Sequence, residues 1–119
     1  MHLVTFSGDE PDGRLGILAG ERVLDLAQAA TASGADPALL LDMMAFLSGG
    51  RRAADLAATV QSFAQERADP AWWLPRSAVR LLAPVPRPPK ILCLAGNYAA
   101  HIREGGGQAP AKQRTMPQV

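Results

Sequence analysis

The segment RLGILAGERVLDL, residues 14–26, sets the expected architecture of this chain. Two short runs of strand-forming residues flank Ala19-Gly20-Glu21, and such a pair predicts a β-hairpin. Upstream, HLVTF (residues 2–6) alternates its side chains between two faces, which is typical of a strand. The stretch SGDEPDG (residues 7–13) between them is rich in turn formers. The opening third of the chain is therefore expected to form a small antiparallel sheet.

Two helices are expected after the sheet. Asp36-Pro37 offers an N-cap followed by proline at the first helical position, and Ser48-Gly49-Gly50 should end the first helix. A stripe at helical spacing is interpreted as core, the alternative being a binding surface: Leu40, Met43, Met44 and Leu47. The second helix should run from about Arg51 to Ala68. Its apolar face and small packing neighbours are Leu56, Val60, Phe63, Ala53, Ala57 and Ala64. The predicted fold class is α+β, a small antiparallel sheet with two or three helices.

The first domain is expected to end near Ser77 and so to span residues 1–77. Asp69-Pro70 should break the second helix, and AWWLPRS (residues 71–77) is interpreted as irregular. Trp72 and Trp73 could anchor a substrate or a partner, but covering an edge of the small domain is the preferred interpretation.

Composition narrows the class of protein. The chain has 12 Lys and Arg against 11 Asp and Glu, and no basic stripe carries interleaved aromatics, so nucleic acid is a poor candidate partner. Cys93 is the only cysteine, which rules out an intramolecular disulfide and makes a reducing compartment the simplest interpretation. No run of about 18 apolar residues could span a bilayer. We expect a cytoplasmic protein without a nucleic-acid or membrane partner.

A proline-rich stretch changes the character of the chain at PVPRPPK, residues 84–90. Its prolines enforce an extended conformation, and a rigid connector is preferred over a ligand for an SH3-like domain. The next four residues, ILCL (residues 91–94), form an apolar run that predicts a strand buried on both faces. Cys93 is interpreted as a buried small hydrophobe, because no activating base or cationic cluster lies beside it in sequence.

A histidine and a glutamate follow that run at helical spacing. Asn97 is a candidate N-cap, and a helix of about two turns should end at Gly105. His101 and Glu104 would share one helix face, where the carboxylate could orient the imidazole. Such a pair could activate water or take a proton from carbon next to a carbonyl. Spacing alone favours the alternative, an exposed ion pair, and no histidine or cysteine cluster supports a metal site.

The stretch PVPRPPKILCLAGNYAAHIREGG resembles the entry to the catalytic domain of the fumarylacetoacetate hydrolase family. The family pattern P-x-K-I-x-C-x-G, followed by N-Y-x-x-H-x-x-E, is matched by Pro88, Lys90, Ile91, Cys93, Asn97, Tyr98, His101 and Glu104. The earlier sequence is similar to the N-terminal domain of bacterial members, so the resemblance covers nearly the whole chain. One departure is Ala95, where many members have glycine.

The resemblance implies that residues 78–119 begin a β-rich catalytic domain, with its first strand and a lid helix, and leave it incomplete. It implies His101 as general base and Glu104 as the partner that positions and activates water. It further implies Mg²⁺ or Mn²⁺ in the full-length enzyme, a small 2-oxo or 1,3-dicarbonyl acid as substrate, and a homodimer. The reaction would be C–C bond hydrolysis, decarboxylation or keto–enol isomerisation.

In the family, the metal-binding carboxylates lie well beyond the histidine turn, and Glu104 is the only acidic residue of this chain after His101. We therefore expect the chain to be an N-terminal fragment that binds no metal and is inactive by itself. The alternative is a non-catalytic interaction module, which would dock onto a partner through the proline-rich segment and the tail, residues 105–119.

Overall fold

The computed structural model describes residues 1–7, 12–67, 69, 71–92 and 105–106. The chain divides into two compact units, residues 1–87 and residues 88–119. Among the described residues, the regular elements lie in the first unit: β1 (Leu3–Phe6), β2 (Arg14–Ala19), β3 (Arg22–Asp25), α1 (Leu26–Ala32), α2 (Met43–Glu66) and β4 (Trp73–Pro75). Short 3₁₀ turns occur at Ala38–Leu40 and Arg76–Ala78. This is the predicted α+β class.

The sheet is antiparallel throughout, in the order β1-β2-β3-β4. The predicted hairpin is confirmed: β2 and β3 pair with Ala19 opposite Arg22, and Gly20 and Glu21 form the connecting turn. Gly20 has a φ of +57°. Glycine adopts that conformation without steric cost, and a glycine first in a two-residue turn matches the twist of a hairpin.

The fourth strand corrects the prediction that residues 71–77 are irregular. Trp73 pairs with Leu24 of β3, and its indole N–H donates to the carbonyl of Ala64, 2.9 Å away. This strand depends on a partner far away in sequence, which local composition does not reveal. Pro75 is tolerated because an edge strand needs no complete ladder of N–H donors. The Trp73 side chain is buried in the core of the first unit and Trp72 packs partly buried against it, so the interpretation of the two as cover for an edge of the domain stays a prediction.

The helix starts also differ from the predicted ones. Helix α1 was not predicted, and it begins directly after β3 with Asp25 as its N-cap. Helix α2 begins at Met43, where the Asp42 side chain accepts from the Ala45 N–H at 2.8 Å. The Asp36 side chain accepts from the Ala38 N–H at 3.0 Å, at the start of the 3₁₀ turn, whose N-cap is Pro37. The N-cap assignment of Asp36 was wrong because Pro37 starts that short turn instead of the long helix.

A break in α2 falls where the glycines predicted it. Gly50 has φ 52° and ψ −129°, outside the helical region, so two helical arms meet there. The second arm packs through a stripe of mostly small buried residues: Ala53, Ala57, Val60 and Ala64. In the first arm Met43 is buried, whereas Met44 and Leu47 are 36% and 55% exposed. The core prediction for those two residues was wrong, because the arm packs along a narrower stripe than the sequence suggests.

Apolar side chains fill both faces of the sheet. One face packs against both helices, through a cluster that includes Leu15, Ile17 and Leu24. The other face holds a smaller cluster, whose buried members are Val4, Phe6 and Val23, and which Val79 and Leu81 partly cover. Among the described residues, no helix is long and apolar enough to cross a bilayer.

The two candidate N-caps give a direct test of the corrected helix start. We expect Asp42→Ala to lower the free energy of unfolding by about 1 kcal/mol, because a long helix loses its N-terminal acceptor. The matched change Asp36→Ala removes a hydrogen bond from an exposed 3₁₀ turn and should cost less than about 0.5 kcal/mol. Urea denaturation of both variants measures the difference. A larger loss for Asp36→Ala would contradict the assignment.

Candidate functional site

The predicted catalytic residues, His101 and Glu104, lie outside the described residues, as do Cys93, Asn97 and Tyr98. Their roles therefore stay predictions. Immediately after them, Gly105 and Gly106 form a turn, and Gly106 has a φ of +78°. A glycine in this left-handed conformation commonly follows the last turn of a helix. The structure therefore describes the residues on either side of the predicted site, up to Leu92 and from Gly105 to Gly106.

On the N-terminal flank, Ile91 and Leu92 are each 76% exposed and belong to no strand. The predicted buried strand is therefore not formed at these two residues. A strand buried on both faces needs neighbouring strands and a packed layer on each face. Neighbouring strands of this kind do not occur beside Ile91 and Leu92 in the described part of the second unit.

Residues 80–87, which we call the edge segment, run along β1. The Ser7 N–H donates to the Arg80 carbonyl at 2.8 Å, and the Leu82 N–H donates to the Thr5 carbonyl at 2.8 Å. The buried Thr5 hydroxyl donates to the carbonyl of Pro84 at 2.7 Å. Much of the edge segment is thus occupied within its own domain, as expected of a rigid connector.

The last contact of the edge segment is an ion pair. Arg87 donates to both carboxylate oxygens of Asp12, from Nε at 2.6 Å and from Nη2 at 2.7 Å. This hydrogen bonding lowers the pKa of Asp12. The pair is exposed, so its bidentate geometry contributes more to the direction of the chain than to stability. The pair thus ties the end of the edge segment to the turn before β2.

A second polar cluster surrounds Asp25, which is fully buried. Its Oδ1 accepts from the Gln28 N–H at 3.1 Å, and its Oδ2 lies 2.7 Å from Nη2 of Arg14. Oδ2 accepts no hydrogen bond of good geometry from the described residues, so the charge of Arg14 is its compensation. Burial raises the pKa of Asp25, while the N–H donors and Arg14 oppose this rise. The cluster joins β2, β3 and α1.

Gln28 extends this cluster to the loop before β4. Its amide is assigned with the nitrogen toward the carbonyl of Ala71, 2.6 Å away, and the oxygen toward Arg14. In this orientation the oxygen accepts from Nη1 and Nη2 of Arg14, each at 3.2 Å. Sequence reasoning missed these residues. The signal was present, since Asp25 and Gln28 stand three residues apart, as in a capping box.

A groove of about 430 Å³ opens beside this cluster. Helix α1 forms one wall, the residues around Pro37 and Leu41 form a second, and Ala71 and Trp72 form a third. Arg14 also lines the groove, and its side chain is 29% exposed. The lining is mainly apolar, with a single charged group, the Arg14 guanidinium.

Acidic, histidine and cysteine side chains do not gather into a metal centre in the part of the chain that the structure describes. No set of three of them is placed as metal ligands would be. The Asp25 carboxylate already pairs with Arg14 and accepts the capping hydrogen bond at the start of α1. We therefore assign no metal ligand among the described residues.

Comparison with known proteins finds relatives of one kind. The chain is 35% identical over 113 residues to the mitochondrial oxaloacetate tautomerase Fahd2a of Rattus norvegicus. It is 35% identical to oxaloacetate tautomerase FAHD2A of Bos taurus, and 34% identical to the fahd2 protein of Xenopus laevis. Each match covers 92% of this chain and 32% of the relative, so the chain spans about a third of the relatives' length. No protein-family model matches. The mitochondrial relatives leave the cytoplasmic location a prediction.

The buried Asp25 predicts the sign of a pH effect on stability. Its pKa is raised above 3.8 in the folded protein, so the folded state holds the proton more tightly than the unfolded state. Between pH 3.8 and the raised value, the free energy of unfolding should therefore fall as the pH rises. Urea denaturation of the wild type and Asp25→Asn across this window measures the effect. As the pH rises, the free energy of unfolding of the wild type should fall relative to that of the variant.

Asp12 supplies the control, because its lowered pKa acts in the opposite sense. Its stabilising contribution is present above pH 3.8 and is lost as the pH falls below that value. Asp12→Asn should therefore leave the slope above pH 3.8 unchanged. A wild type that becomes more stable relative to Asp25→Asn as the pH rises through this window would contradict the raised pKa of the buried Asp25 carboxyl.

Proposed function

We propose, since this chain belongs to the fumarylacetoacetate hydrolase family, that it is the N-terminal part of an enzyme that interconverts the keto and enol forms of a small 2-oxo acid. The relatives are named oxaloacetate tautomerases, and the match to them takes in 92% of this chain. This similarity is the observation that carries the proposal. Oxaloacetate is accordingly the first substrate to test.

In the proposed reaction His101 is the general base. Its imidazole takes a proton from the carbon next to the substrate carbonyl, and the electron pair moves onto the carbonyl oxygen as an enolate. The imidazolium then gives up this proton to the enolate oxygen, which yields the enol and restores the neutral base. Glu104 follows His101 by three residues in the sequence, and on the predicted helix its carboxylate would orient the imidazole ring. The pair is thus proposed to supply the proton transfer.

Tautomerisation is favoured over the other two reactions that the family resemblance implies. Carbon–carbon hydrolysis and decarboxylation also pass through an enolate, but each must break a carbon–carbon bond as well. The relatives are tautomerases by name, which favours the reaction that breaks no carbon–carbon bond. The resemblance also makes Mg²⁺ or Mn²⁺ and a homodimer part of the proposal for the full-length enzyme. The described residues do not fit a metal centre, so no step is derived through one.

The alternative function, a docking module, loses part of its proposed contact surface. The Pro84 carbonyl accepts from the buried Thr5 hydroxyl, and Arg87 is paired with Asp12. A partner that binds an extended Pro-rich segment would have to compete with these intramolecular contacts. The enzyme proposal needs no such competition, because it treats the edge segment as a fixed connector.

A chimeric enzyme tests the proposed role of His101. Because this chain spans about a third of the rat relative, it would replace the aligned segment of that protein. We expect the chimera to accelerate ketonisation of enol oxaloacetate, followed by its ultraviolet absorbance. His101→Asn should lower kcat by about 100-fold or more, the range for loss of a general base.

The chain offers a matched control in His2, its only other histidine. His2→Asn lies in the exposed N-terminus and should leave kcat unchanged. An equal kcat for His101→Asn and the parent chimera would overturn the assignment of the base. A folded chimera without tautomerase activity, beside an active rat enzyme, would overturn the proposed function itself.

A further inference from the structure

The groove between α1, the Pro37–Leu41 segment and Trp72 has the volume and the mainly apolar lining of a small-molecule site. Its volume of about 430 Å³ falls within the range of about 300–1,000 Å³ that is usual for ligand pockets. Such pockets combine mainly apolar walls with a few polar groups that orient the ligand. This groove lies wholly within the first unit and is separate from His101 and Glu104 in sequence.

Arg14 is the group that would orient a ligand. Its guanidinium has five N–H donors, and its described contacts to Asp25 and Gln28 involve Nη1 and Nη2. Nε–H has no acceptor among the described residues, and the side chain is 29% exposed. Asp25, in contrast, is fully buried behind it. A molecule that enters the groove can therefore reach the guanidinium but not its counterion.

The walls determine what the rest of the ligand should be. Pro37, Leu41, Ala32 and Trp72 present an apolar lining. Leu41 is 51% exposed, so covering it with a ligand would remove apolar surface from water. Pro37, Leu41 and the Trp72 ring offer apolar contacts to a flat hydrocarbon body. A carboxylate fits the planar guanidinium, which recognises that group better than a neutral acceptor.

We propose that this groove binds a small monocarboxylic acid with a flat apolar body, with its carboxylate on Arg14 and its body between Leu41 and Trp72. The site depends on the geometry of the first unit alone and is independent of the proposed tautomerase activity. It gives the small domain a ligand-binding role of its own.

Phenylacetate is the probe, and phenylacetamide is its neutral control of the same shape. Titration of the ¹⁵N-labelled chain should give saturable shifts of the Trp72 indole and Arg14 Nε signals. Phenylacetate should bind about tenfold or more tightly than phenylacetamide, because only it forms charge-assisted hydrogen bonds. Equal affinity for the two compounds would overturn the carboxylate class, and shifts that do not saturate would overturn the site.

A pair of variants locates the binding. Ala32 lines the groove on an exposed face of α1, so Ala32→Trp should fill it and weaken phenylacetate binding about tenfold or more. Ala58 is exposed on α2 away from the groove, so Ala58→Trp should leave the affinity within about twofold. Unchanged affinity in folded Ala32→Trp would place the ligand elsewhere and contradict the proposal. So would equal losses in both variants.

Discussion

The buried carboxylate of Asp25 is the constraint on which the first unit depends. The carboxylate caps α1 and lies 2.7 Å from the guanidinium of Arg14. The backbone N–H of Asp25 donates to the carbonyl of Trp72 at 2.8 Å. A buried charge costs several kcal/mol unless it is paired and hydrogen-bonded. The chain must therefore bring β2, α1 and the loop before β4 together at one point. That requirement also places Arg14 in the groove.

Local sequence signals predicted the parts of the fold that local physics controls. The hairpin follows from strand-forming runs around Gly20, and the break in α2 follows from the conformational freedom of Gly50. The missed elements depend on distant partners. Strand β4 exists because Trp73 pairs with β3, and α1 is a short alanine-rich segment whose start is fixed by the buried Asp25. Exposure of Leu47 likewise depends on how α2 packs.

The candidate sites were predictable to different degrees. His101 and Glu104 come from a family pattern, since their spacing alone favours an exposed ion pair. The family itself is shown by relatives that match 92% of the chain. Arg14 could not be found from sequence, because its place in the groove results from pairing with Asp25 and Gln28 across three elements. The sequence shows only that Asp25 and Gln28 have the spacing of a capping box.

A double-mutant cycle of Arg14→Met and Asp25→Asn measures this central interaction most directly. The free energies of unfolding of the four proteins, from urea denaturation at neutral pH, give the coupling between the two side chains. The account predicts a coupling of at least about 1 kcal/mol, because either single change leaves a polar group without its partner. Effects that add within about 0.5 kcal/mol would contradict it.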